Sequence, residues 1–195
     1  MALTAFGALM MLLTPVVAAA VGLIFSPALA LALWQSDPAT VALSPLLSQF
    51  AAAGLFGAAF DAVMLLVAGR YVERAVGPVG IVVTFVAGAY AGALARLVLT
   101  PGSVVPGFGA TGGVFAIIGA YLMLYGIPAG LPLNLRGSRL VQVAALALIW
   151  AALQLAFLLA APGGDISVPI IEPLGGLAAG VGLARPLLRW RYRKA

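Results

Sequence analysis

Two carboxylates, Asp61 and Glu172, stand within or at the margin of long apolar stretches, and both are candidates for binding or chemistry. A charge midway along a membrane-spanning segment is costly, which makes Asp61 a functional candidate by default. Its competing reading is a protonated acid bonded to Thr111 or to a backbone carbonyl inside the protein. Glu172 is expected near the outer membrane surface, where solvation alone would account for it. Little else in the chain could react. It contains no His and no Cys, which removes the commonest general base, the commonest metal ligand and any disulfide. No carboxylates show metal-ligand spacing and no glycine loop leads into a Lys, so no metal and no cofactor are expected.

The elements that carry these residues are membrane helices. The 195 residues are 64% hydrophobic and 8% charged, too few charges to cover a soluble domain. The apolar runs are continuous and do not alternate with polar residues, which excludes a membrane β-barrel. A span needs about 20 largely apolar residues, and six segments qualify: residues 3–25 (containing Pro15), 49–69, 79–99, 111–126, 139–160 and 171–189. The fourth is short and is expected to begin below the membrane surface. Ala18 to Ala20 resemble a signal-peptide cleavage region, but no basic stretch precedes them, so an uncleaved helix is expected. Residues 26–48, with Pro27, Asp37, Pro38 and Pro45, read as an extended loop. Neither a repeat nor a second domain is visible, so residues 1–195 are expected to form one unit with a short basic tail at 189–195.

Charge placement gives this count an orientation. Arg70 and Arg74, Arg136 and Arg139, and the group Arg185, Arg189, Arg191, Arg193 and Lys194 all fall on one side of a six-span arrangement, whereas Asp37, Asp165 and Glu172 fall on the other. Both termini and the basic loops are therefore expected in the cytoplasm. Arg96, near the end of the third span, is the exception. The net charge of +5 does not point to nucleic acid, because five of the ten basic residues lie between Arg185 and Lys194, at the end of the last membrane helix and in the tail after it. Such a tail orients the helix or meets lipid headgroups. Nine Arg against one Lys fits a GC-rich bacterial genome and hence a bacterial cytoplasmic membrane.

Three motifs then point to a family. Gly109-Ala110-Thr111-Gly112-Gly113-Val114-Phe115-Ala116-Ile117-Ile118-Gly119-Ala120 resembles the helix-4 motif of rhomboid intramembrane proteases, in which Gly-x-Ser-Gly opens the helix. Pro173-Leu174-Gly175-Gly176-Leu177-Ala178-Ala179-Gly180 is similar to the helix-6 motif, where a His leads into Gly-x-x-x-Gly. Gly69-Arg70-Tyr71-Val72-Glu73-Arg74-Ala75-Val76-Gly77 is similar to the helix-2 exit, with a Glu between two glycines. Their order fits an all-α, six-helix rhomboid-like bundle over roughly residues 37–185.

The resemblance also implies which residues have been lost. The nucleophile position falls on Thr111, the His position on Pro173, the oxyanion-binding pair on Gly57 and Asp61, and the Trp-Arg pair of the first loop near Leu43 and Ser44. A Thr hydroxyl attacks a carbonyl only when a neighbour takes its proton. Pro173 cannot do so, and the only Lys, Lys194, lies beyond the far end of the last helix. Losing one member of a hydroxyl–base set costs on the order of 10⁴ to 10⁶ in rate. An ionised Asp61 would further repel an oxyanion. Thr111 is then expected to cap its helix, Pro173 to sit in a first turn where no N–H is needed, and Gly109, Gly112, Ala116, Gly119, Gly176 and Gly180 to form a close helix-packing seam. The implied function is a non-catalytic rhomboid-like protein that binds transmembrane partners, or serves as a subunit of a membrane complex, within the lipid bilayer. The alternative is an active protease using Thr111. A transporter built on Asp61 and Glu172 lacks the expected repeats of broken helices.

Overall fold

The computed structural model describes residues 2–13, 24–51, 55–127, 137–160 and 166–194. Pro15, Arg136, Asp165 and the centre of the first expected span lie outside the described residues. Those described are helical or irregular, with no strand. In chain order the helices are α1 (Ala2–Leu13), α2 (Pro27–Leu33), α3 (Pro38–Leu47), α4 (Leu55–Met64), α5 (Arg70–Leu99), α6 (Thr111–Tyr125), α7 (Arg139–Ala160) and α8 (Glu172–Arg191). Two stretches among these residues, Gly57–Leu99 and Arg139–Ala160, are long and apolar enough to cross a membrane, and α6 is apolar but shorter.

A π-helical turn, Leu65–Gly69, joins α4 to α5. The helical chain then breaks direction at Gly77, whose φ of 83° and ψ of 174° lie where an L side chain would be strained. Pro78 follows and cannot extend the preceding helix. This turn separates the second and third expected spans. It is held from two sides: Thr4 of α1 donates its backbone N–H to Glu73 Oε2 at 3.2 Å and its hydroxyl to the same oxygen, and Arg191 at the end of α8 donates to the carbonyls of Glu73 and Arg74.

The segment expected as an extended loop is largely helical. Pro27 and Pro38 stand at helix starts, where a missing N–H costs nothing. The Asp37 side chain accepts the Thr40 N–H at 3.1 Å to cap α3. These prolines initiate helices here, whereas the sequence reading took them as breakers. Tyr90 of α5 ties α3 down by donating its hydroxyl to the Ala42 carbonyl at 2.8 Å.

α6 is the central helix. Val114, Ile117 and Ala120 are buried and pack with Leu65, Val72 and Val76 in one apolar core. α5, α6 and α8 meet through backbone. A Cβ at Gly176 or Gly180 would collide with the carbonyl of Gly112 or Ala116, and one at Gly119 would reach 2.5 Å from the Leu177 oxygen. From the other side, a Cβ at Gly88 would lie 2.5 Å from the Gly112 oxygen, and one at Gly175 2.7 Å from the Ala91 oxygen. α7 is different: Val143 is the one residue along it that is buried.

Candidate functional site

The close approach of α5, α6 and α8 brings polar side chains together near the N-terminal ends of α6 and α8. Gly92 makes room, since a Cβ there would come within 2.8 Å of Glu172 Cγ. Glu172 is buried, not solvated as its sequence position implied, with 3% relative exposure. Its Oε2 accepts from Arg96 Nη1 at 3.2 Å in an ion pair, and its Oε1 accepts from the Thr111 hydroxyl at 2.9 Å and from Gln49 Nε2 at 3.3 Å. Arg96 is fully buried; it also donates through Nη2 to the Val105 carbonyl at 2.6 Å and lies 5.7 Å from the Phe25 ring centre. Its departure from the charge pattern expected of the sequence is met by this pairing. The exception to the charge pattern is the counter-ion of Glu172.

The first turn of α6 leaves backbone N–H groups that need partners. Asp61 Oδ2 accepts the Ala110 N–H at 2.8 Å, and Gln49 Oε1 accepts the Gly113 N–H at 2.9 Å. Asp61 therefore acts as an acceptor to backbone, and neither donor–acceptor arrangement expected for a protonated acid is the one found. Thr111 does not cap α6: the cap position is Ala110, without a side-chain cap bond, and the Thr111 hydroxyl turns to Glu172 instead. Gly109 is not part of the helix seam. It precedes α6 with φ 92°, donates to the Ala51 carbonyl at 2.8 Å, and would bring a Cβ within 3.0 Å of Asp61 Oδ2. Its absent side chain serves the approach of Asp61.

Gly112, Ala116, Gly119, Gly176 and Gly180 do lie where α6 and α8 touch. Pro173 is fully buried in the first turn of α8, directly after Glu172. Gly57 is exposed on α4, where an added Cβ would meet nothing within 4 Å, apart from the site. Leu43 is exposed, and Ser44 is buried with its hydroxyl on the Val41 carbonyl at 2.9 Å. Sequence reasoning did not find Arg96 or Gln49. Arg96 carried a signal, as the lone basic residue on the wrong side, while a single Gln in a turn carried none. Among the described residues no group of His, Cys, Asp and Glu could hold a metal ion.

Chemically, the arrangement supplies Thr111 with a carboxylate neighbour, which the sequence reading did not foresee. That carboxylate is committed. Taking a proton from Thr111 would dissolve the buried ion pair of Glu172 with Arg96, and breaking such a pair typically costs about 3–5 kcal/mol. The N–H groups of Ala110 and Gly113, on either side of Thr111, are already bonded to Asp61 and Gln49.

The family model for the Rhomboid domain matches residues 40–190. No curated protein and no solved structure matches the chain. The match covers the turn at Gly77, the α5–α6–α8 contact and every member of the polar cluster, and the chain belongs to the rhomboid family, whose members are integral membrane proteins.

Proposed function

We propose that this protein is a non-catalytic rhomboid that binds the transmembrane segments of other membrane proteins, alone or as a subunit of a membrane complex. One observation carries the reading: the Thr111 hydroxyl and the N–H groups on either side of it are bonded to the protein's own Glu172, Asp61 and Gln49. In this reading the chain spans a bacterial cytoplasmic membrane six times with both termini in the cytoplasm. Arg70 and Arg74 precede the Gly77 turn, and Arg193 and Lys194 follow α8, in accord with that orientation. Partners are membrane helices and lipid; nucleic acid is not among them.

A second reading is favoured by one contact. The Thr111 hydroxyl lies 2.9 Å from Glu172 Oε1, so a Thr–Glu pair could act as nucleophile and base in a protease. Affinity purification in mild detergent separates the two. A binding protein retains the same uncleaved membrane proteins whether it is wild type or Thr111→Ala. A protease releases truncated partners as wild type and accumulates intact ones as Thr111→Ala, and that outcome would sink the binding reading.

A further inference from the structure

Proline at position 173 has a consequence beyond the missing base. In a regular helix the N–H of residue 173 would bond the carbonyl of Pro169, and proline has no N–H to give. The turn before α8, Ser167–Ile171, is π-helical, with the Ile171 N–H reaching back to Ile166 at 3.4 Å. The Pro169 carbonyl is instead met by two side chains of α7. Trp150 Nε1 donates to it at 3.1 Å and Gln154 Nε2 at 3.4 Å. These residues are four apart and so share one face of α7. The Trp150 ring also packs on Phe115 of α6, with centres 4.9 Å apart.

Little else holds this part of the helix. Val143 is its one buried residue, and Leu148, Leu153, Phe157 and Leu159 are exposed. A half-buried indole N–H and amide need acceptors in an apolar setting, and the Pro169 carbonyl, in the turn before α8, meets both. We propose that Pro173 creates a latch: by withholding its N–H it gives the Pro169 carbonyl to Trp150 and Gln154, and so fixes the second half of α7 against the start of α8. The latch goes beyond the binding reading and does not depend on whether Thr111 reacts.

The absence of cysteine allows paired spin labels to be introduced without background. Labels at two exposed positions, Phe157→Cys on α7 and Val98→Cys on α5, report the distance between the helices by pulsed electron paramagnetic resonance in liposomes. The latched protein gives one narrow distance distribution. Trp150→Phe with Gln154→Leu removes both donors while keeping the ring against Phe115, and the narrow distribution is lost. Pro173→Ala restores the competing N–H and broadens it in the same sense. Leu148→Ala, at an exposed position, leaves it unchanged. A narrow distribution in the Trp150→Phe, Gln154→Leu protein overturns the latch. Broadening there but not in a folded Pro173→Ala protein overturns the role of Pro173. If Pro173→Ala does not fold, the double-donor variant decides alone.

Discussion

Arg96 and Glu172 form a fully desolvated pair within a membrane protein, and each is expensive without the other. Removing one partner leaves a buried uncompensated charge, which typically costs about 3–5 kcal/mol, whereas replacing both with apolar residues is often close to neutral. Arg96→Leu is therefore expected to lower the melting temperature of the detergent-solubilised protein sharply, and Arg96→Leu with Glu172→Leu to recover most of the loss. Equal loss in the single and double variants would mean that the pair is not coupled. Thr111→Val removes one donor to Glu172 and is expected to cost about 1.5–3 kcal/mol, the usual net worth of a hydrogen bond to a charged group. The cluster was half legible in the sequence. Asp61, Glu172 and Thr111 stood out as polar residues in apolar surroundings. Their partners did not, because which side chains meet across helices 40 or more residues apart in sequence depends on how closely the backbones pass.

That close approach is an element-scale property, and its small residues were readable from the motifs around Gly112 and Gly176. Gly180→Leu would drive a side chain into the Ala116 carbonyl. Overpacking costs typically about 1–3 kcal/mol, occasionally more. The same change at Ala178, which is exposed on α8, adds a lipid-compatible side chain and should leave the melting temperature nearly unchanged. A similar drop for both would show that the α6–α8 contact is not the tight one. The contribution of α5 was missed, although Gly88 and Gly92 are separated by four residues in the manner of helix-packing pairs. The span boundaries at 111–126 and 139–160 agree with α6 and α7 because Gly126 and Ser138 punctuate them: Gly126 takes φ 83° after α6, and Ser138 accepts the Val141 N–H at 3.4 Å at the start of α7. The segment at 26–48 was misread because proline both ends and begins helices, and its neighbours did not distinguish the two.

At the scale of the molecule, the all-helical class of the described residues followed from hydrophobicity, and the family from three motifs in sequence order. The proposed six-span orientation places the Gly77 turn, residue 137 and the C-terminal tail in the cytoplasm, so reporter fusions at these points should all give cytoplasmic signals. A periplasmic signal at 137 would overturn the span count. If the protein is non-catalytic as proposed, placing a Ser and a His together at the two family positions should not confer proteolysis. Thr111→Ser with Pro173→His supplies a nucleophile and a base, yet Asp61 still stands where the family resemblance places an oxyanion donor, and losing even one such donor costs about 10²–10³ in rate. The most direct measurement of the central claim is the intact mass of the purified, bilayer-reconstituted protein after exposure to a fluorophosphonate. The occupied site predicts no adduct in wild type or in Thr111→Ala. An adduct on wild type that disappears in Thr111→Ala would show a reactive hydroxyl at that position and contradict the account.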